Sequence, residues 1–408
     1  MNLQSRHSKQ SITLKKLATA QTLSGLGVTG TFAAGSLLVV QITGSEALAG
    51  LVQTSTVVGA ALLALPLARW TDRGGRRRSL GFGYFLGALG ATFAFVGGTQ
   101  RIFPLILIGA AMIGGASAAG YQARFAAVDL SDDAHRARDL SMVVWASTVG
   151  SVLGPNLMEP AGNLAKGIGL PKLVGPYVVA IIMLTLAATI ITIFLRPDPY
   201  LLARAERGEV YQRQKRAFRK AFALIRTIPQ AWLALHAIVI GHIAMVTIMV
   251  MTPVHMAHVD VSLRLIGLVI SVHVLGMYAL SPLVGKLVDR FGRIPTILLG
   301  VGILLSSAII SGLAYADAVV QLGIGLFLLG LGWSCTLIAG STLLAESLPA
   351  EIKASGQGLS DLCMNGGGAL GGALAGLIIA ISSYGWLCAV MALPVLYLGG
   401  KAWRLRLK

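Results

Sequence analysis

Apolar stretches of about 20 residues recur along this whole chain, and a helix of that length crosses a ~30 Å hydrocarbon core at ~1.5 Å per residue. Twelve such stretches are read, at 17–42, 45–69, 79–99, 102–127, 140–163, 173–195, 230–252, 263–285, 294–314, 318–343, 355–379 and 383–402. The composition agrees: 55% of residues are hydrophobic and 12% charged, with a mean hydropathy of +0.77. Soluble domains carry about a quarter charged residues. The stretches are rich in Gly, Ala and Ser, the residues that let membrane helices approach closely. The sequence therefore predicts an all-α membrane protein with 12 transmembrane helices.

A formal net charge of +17 raises the question of a nucleic-acid partner, and the placement of the charge answers it. With the N-terminus inside, all but four of the 33 Lys and Arg fall on cytoplasmic segments; only Arg101, Lys166, Lys172 and Arg264 fall outside. This positive-inside bias predicts cytoplasmic N- and C-termini and a lipid bilayer, not nucleic acid, as the partner. The basic stretch RPDPYLLARAERGEVYQRQKRAFRKAFALIR (196–226) then reads as a cytoplasmic linker with an amphipathic surface helix facing anionic head groups. The first sixteen residues are polar and basic, so no cleaved signal peptide is expected. Cys335, Cys363 and Cys388 stand on separate stretches without a CxxC, which indicates neither a disulfide framework nor a zinc site.

The sequence also repeats. ARWTDRGGRR (68–77) matches GKLVDRFGRI (285–294), with Asp72 and Asp289 offset by 217. The same offset carries Asp129 onto Glu346, Arg136 onto Lys353, Gly150 onto Gly367 and Gly154 onto Gly371. The chain thus reads as two six-helix pseudo-symmetric halves, 1–195 and 229–408, joined by the linker 196–228. Such repeats mark secondary transporters, which rock one half against the other around a site near the midplane.

The pattern G-x-x-x-D-R-x-G-R after the second helix of each half resembles the signature loop of the major facilitator superfamily. Gly285, Asp289, Arg290, Gly292 and Arg293 fit it fully; Asp72, Arg73, Gly75 and Arg76 fit the first copy, where Ala68 replaces the leading Gly. Gly150-Ser-Val-Leu-Gly154-Pro155 resembles that family's glycine–proline kink. Charges held at cytoplasmic helix ends can pair and favour closure of one face. Asp72, Arg76, Arg124 and Asp129 are expected to form such a latch, with Arg73, Asp289, Arg290 and Arg293 as further gating residues.

Residues 236–277 hold five of the 12 methionines and five of the seven histidines. Met245-x-x-x-Met249 and His273-x-x-x-Met277 are both spaced i, i+4, which stacks each pair on one helix face. Counted from the helix ends, Met245 lies ~24 Å and Met249 ~30 Å from the inner surface, His273 ~18 Å and Met277 ~12 Å. Three thioethers and an imidazole are the ligand set that suits monovalent copper. A neutral thioether also waits in a low-dielectric pathway without the desolvation penalty of a carboxylate. Read singly, the methionines are core packing and His273 a hydrogen-bonded imidazole. His255, Met256 and His258, in the short outer loop, could capture the ion.

MxxxM followed by HxxxM on the next helix resembles the CcoA-like copper importers of the superfamily, which supply copper for cbb3-type cytochrome oxidase assembly. That resemblance implies Met245, Met249, His273 and Met277 as ligands, and copper as transported substrate with no prosthetic group. It also implies a monomer in the bacterial inner (plasma) membrane, served by a cytoplasmic copper chaperone. The same branch holds riboflavin transporters without this pairing. An inside-negative potential favours cation entry by ~2.3 kcal/mol per 100 mV, so copper import needs no proton partner. Within the stretches the carboxylate of interest is Asp361, beside Cys363 and Met364, a candidate for proton coupling, for the inner exit or for pairing with a helix end. The alternatives are a transporter of an organic solute, using Tyr84, Tyr121, Gln122, Trp145, Asn156 and Asn365, a proton-driven exporter, and a metal-binding sensor. No nucleophile–base or phosphate-binding constellation suggests an enzyme.

Overall fold

The glycines of the doubled loop set the architecture. The computed structural model describes residues 3–44, 46–132, 134–208, 217–257 and 263–407, and among these every regular element is helical. After α1 (Leu3–Thr43) comes α2 (Glu46–Thr99), 54 residues long. At ~1.5 Å per residue it spans more than twice the ~30 Å hydrocarbon core, so it cannot be one straight crossing. It breaks at Gly75, where φ is 81° and ψ 176°. A side chain there would be strained and would strike the Asp198 carboxylate.

The order continues with α3 (Phe103–Ala126), α4 (Arg136–Asn156), α5 (Met158–Gly167), α6 (Gly175–Thr189) with a π turn at Ile190–Phe194, and two linker helices, α7 (Pro199–Glu206) and α8 (Ala217–Thr227). Then come α9 (Pro229–Ala257), α10 (Leu263–Tyr278), α11 (Ser281–Phe291), α12 (Arg293–Gly312), α13 (Val319–Ser347), α14 (Ala350–Ile381) and α15 (Tyr384–Arg406). Gly292, the repeat partner of Gly75, has φ 95° and separates α11 from α12.

Ten helices among the described residues are long and apolar enough to cross a membrane, or eleven if α4 and α5 form one span bent by 48°. The chain is thus a multi-pass helical membrane protein. The count falls short of the twelve expected stretches because α2 carries the second and third in one element and the fifth is bent. The basic linker is helical at both ends, in α7 and α8. On α8 Ala221 and Ile225 are buried while Arg219, Lys220 and Arg226 are exposed, an amphipathic pattern.

Contacts divide the chain into two compact units. The first holds 1–132, 146–218 and 350–362; the second holds 133–145, 219–349 and 363–408. The exchanged segments, 133–145 and 350–362, are themselves offset by 217, so each unit takes the same piece of the other repeat. Small residues bring the helices together within each unit. In the first, Gly150 of α4 packs on Gly25 of α1, and Gly83 and Gly87 of α2 pack on Ala119 and Ala116 of α3. In the second, Gly276 of α10 meets the Phe327 backbone and Gly241 of α9 meets Thr336, both on α13.

Candidate functional site

The loop charges are built into the first unit rather than displayed on it. Arg76, fully buried, donates from Nε to Asp129 Oδ2 (2.8 Å) and from Nη2 to Gln357 Oε1 (2.7 Å). Arg124 Nη2 pairs with Asp361 Oδ1 at 2.6 Å, with both side chains at most 2% exposed. Asp72 accepts from Tyr200 Oη (2.9 Å) on one oxygen and Ser355 Oγ (3.0 Å) on the other, and its carbonyl accepts from Arg204 (3.2 Å). Three side chains from the first two turns and middle of α14's opening stretch, Ser355, Gln357 and Asp361, are thereby tied to α2 and α3.

The second unit repeats the plan. Arg293 donates to Glu346 from Nε (3.0 Å) and Nη2 (2.7 Å), and Arg136 adds a longer pair with the same carboxylate at 3.6 Å. Asp289 accepts from the backbone N–H groups of Ala137 (3.0 Å) and Arg138 (2.8 Å), orphan donors of the first turn of α4. At the 217 offset Arg76–Asp129 becomes Arg293–Glu346, and Asp72 with residue 355 becomes Asp289 with residue 138. The departure of the first loop from its pattern is compensated. Where the second copy sets Gly285 against Ser141, the first sets Ala68 against Gly358, so the glycine has moved to the facing helix. Arg73 and Arg290 are exposed, Arg290 over the Phe291 ring at 5.3 Å.

In the second unit α13 acts as a ruler for the methionine–histidine stretch. Along antiparallel α9, Ile238 lies by Gly340, Gly241 by Thr336 and His242 by Trp333, whose Nε1–H it accepts at 3.1 Å. Met245 and Met249 follow in the next two turns. Along α10, His273 lies by Leu326, Met277 by Gly330 and Tyr278 by Trp333. His273 and Met277 thus lie along residues 326–330 of α13, whereas on α9 the contacts that fix the register end at His242 and Trp333, one turn before Met245. The two consecutive helices α9 and α10 touch each other sparsely, and each packs along α13.

Met245 and His273 are buried; Met249 and Met277 are half-buried. His273 Nδ1 lies 2.8 Å from the Leu326 carbonyl, which only accepts, so Nδ1 carries the proton and Nε2 is left with its lone pair. That Nε2 is buried and has no hydrogen-bond partner. A ring nitrogen oriented by a backbone carbonyl through the other nitrogen is the usual arrangement of a metal-ligating histidine. Of the expected capture residues, two lie in the last turn of α9: His255 stacks on Tyr384 (4.5 Å between ring centres), and Met256 is fully buried. His258 lies outside the described residues.

The profile of the Major Facilitator Superfamily matches residues 17–262 and 242–406, nearly the whole chain. The chain belongs to the major facilitator superfamily. It is 34% identical over 378 residues to the uncharacterized MFS-type transporter YddS of Bacillus subtilis, covering 91% of this chain and 86% of that one. It is 26% identical over 374 residues to the riboflavin transporter RfnT of Brucella anthropi, covering 91% and 89%. In fold it is similar to the fucose:proton symporter FucP of E. coli (TM-score 0.74, 15% identity, 98% and 99% covered). It is also similar to a bacterial homologue of the iron transporter ferroportin in an outward-facing state (TM-score 0.74, 14% identity, 97% and 100% covered). The protein is a transporter and not an enzyme.

Several superfamily-loop partners escaped the sequence reading. Glu346 was legible, since the repeat carries Asp129 onto it, and Arg136 stood in the same register. Tyr200, Ser355 and Gln357 gave no signal, being ordinary polar residues on a linker and a glycine-rich helix. Asp361 is paired with Arg124 rather than with its sulfur neighbours, of which Met364 is buried. Of the residues assigned to an organic pocket, Tyr84 and Gln122 are buried and bonded internally, to Gln21 (3.2 Å) and the Ala64 carbonyl (3.0 Å), whereas Trp145 and Asn156 are exposed.

Proposed function

We propose that this transporter imports Cu⁺ across the bacterial inner membrane by alternating access, with Met245, Met249, His273 and Met277 as its ligands. The observation that carries this reading is the buried, unpartnered Nε2 lone pair of His273, one helical turn from the Met277 thioether. A lone pair kept from water in an apolar bundle is unfavourable unless something binds it. A soft cation fits, and thioethers release it without proton transfer. The route has twelve crossings, with α2 counted twice at Gly75 and α4–α5 once, and both termini cytoplasmic. The Asp72, Arg76, Arg124, Asp129 cluster and the Asp289, Arg293 cluster are the cytoplasmic latches that hold α14 and α4 in one of the two states.

The test is Cu⁺ uptake into proteoliposomes under reducing conditions. Saturable flux is expected from wild type, with at least a tenfold loss in His273→Ala and in Met245→Ala at equal incorporation. Undiminished flux in both variants would remove the site.

The riboflavin transporter among the relatives favours a second reading, transport of an organic solute. In that reading Met245→Ile and His273→Phe are mild. Asp361 is then the coupling site, because its protonation removes the counter-charge of Arg124 and frees α14. Uptake of labelled riboflavin by wild type, retained in both variants, would select it.

A further inference from the structure

The first unit carries a groove unrelated to either latch or ligand face. It has a volume of about 610 Å³ and lies between the second arm of α2 and the end of α6. Arg77, Arg78 and Arg196 line it together with Phe82, Phe85 and Thr192, and no acidic residue does. Among the described residues none of the three guanidinium groups enters an ion pair. The nearby carboxylate, Asp198, is occupied: it accepts from the backbone N–H groups of Arg77 (2.7 Å), Tyr200 (3.0 Å) and Leu201 (3.1 Å). Lys16 adds a fourth cation, bonded to the Arg196 carbonyl at 3.4 Å.

The position of the groove says what fits it. Its arginines stand where two apolar segments end, 79–99 and 173–195, which is the head-group level of a spanning helix. Below them Phe85 and Ile193 are more than half exposed and extend the groove along the apolar surface. Trp70 packs edge-on to Phe82 at 4.3 Å between ring centres, an aromatic anchor at the same level. The floor is narrow because Gly81 lies against Thr192 Oγ1, 2.5 Å from where its side chain would begin. A cleft lined by three arginines together with aromatic and aliphatic side chains matches a molecule with an anionic phosphate head and an acyl tail. Guanidinium groups bind phosphate oxygens with paired, charge-assisted hydrogen bonds.

We infer that this groove is a binding site for one anionic phospholipid, its phosphate held by Arg77, Arg78 and Arg196 and its acyl chain along Phe85 and Ile193. The site is more selective than a diffuse basic surface, because three donors address one head group. It also adjoins the Gly75 break, so an occupied site braces the joint on which Arg76 and Asp72 are mounted.

The test uses the full chain in nanodiscs of equal phosphatidylglycerol and phosphatidylcholine, extracted gently, with retained lipids counted by native mass spectrometry. Wild type is expected to keep phosphatidylglycerol preferentially. Arg78→Gln and Arg196→Gln each lower the preference about fivefold, and the Arg77→Gln/Arg78→Gln/Arg196→Gln variant lowers it more than tenfold, the scale of surface guanidinium–lipid attraction. Should the triple variant not fold, the two single variants carry the comparison. Phe85→Ala is expected to reduce retention of both lipids with an unchanged ratio. The assignment is overturned if Arg404→Gln/Arg406→Gln, at the far terminus, lowers the preference equally, since net charge would then suffice. It is likewise overturned if the arginine variants keep wild-type preference, or if millimolar glycerol phosphate displaces the bound lipid, since the groove would then take a free phosphate.

Discussion

Arg124 and Asp361 stand 237 positions apart and meet at 2.6 Å with almost no exposure, the sort of pair that is weak as a source of stability and expensive to break. Arg124 uses Nη2 on Asp361 and lays its guanidinium over Phe125 at 4.7 Å, but its Nε and Nη1 are buried without a hydrogen-bond partner. Removing one charge strands the other. Arg124→Ala is therefore expected to lower stability by about 3–5 kcal/mol in denaturant titrations in mixed micelles, whereas Arg124→Met/Asp361→Leu recovers most of that loss. A double variant as unstable as the single one would mean that the guanidinium serves its aromatic neighbours more than the carboxylate.

At the scale of elements, the contact of α2 with α14 turns on a single methyl group. Gly358 lies so close to Ala68 that a side chain at 358 cannot be accommodated without a shift. Gly358→Ala should destabilise by about 1–3 kcal/mol, the usual range for overpacking. Adding Ala68→Gly should restore much of it, leaving the Ala64 carbonyl at 3.1 Å as the remaining close neighbour. Thermal unfolding of the three variants in one detergent decides this; a double variant no better than Gly358→Ala would place the strain elsewhere. The example also shows what the sequence could and could not reveal. Apolar length was legible because hydrocarbon thickness leaves few choices, so the stretches at 45–69 and 79–99 were foreseen; that they join in one helix broken at Gly75, and that Gly75 and Gly292 take positive φ, was not. The Ala68 departure had no visible meaning, since its compensation sits 290 positions away on another helix. The i, i+4 spacing showed which residues of α9 and α10 share a face, but not that both helices lean on α13. Periodicity describes one helix at a time, and neighbours are chosen by small residues such as Gly276 and Gly330.

Over the whole molecule, the two repeats use one plan with unequal burial. Arg76–Asp129 is sealed, with side chains 0% and 2% exposed, while its counterpart Arg293–Glu346 is 20% and 21% exposed. Desolvation makes the first pair unforgiving, and water screens the second. The sequence treats them as equals; the physics does not. Arg76→Ala leaves Asp129 buried without its counter-charge and is expected to lower stability by about 3–5 kcal/mol, with little dependence on salt. Arg293→Ala leaves Glu346 partly hydrated and still paired with Arg136, so its loss should be about 1 kcal/mol and should shrink further in high salt. Parallel denaturant titrations at low and high salt measure both. Equal losses would show that the inequality in burial has no energetic consequence; unequal ones would show that the sealed Arg76–Asp129 pair carries more of the stability than its exposed counterpart.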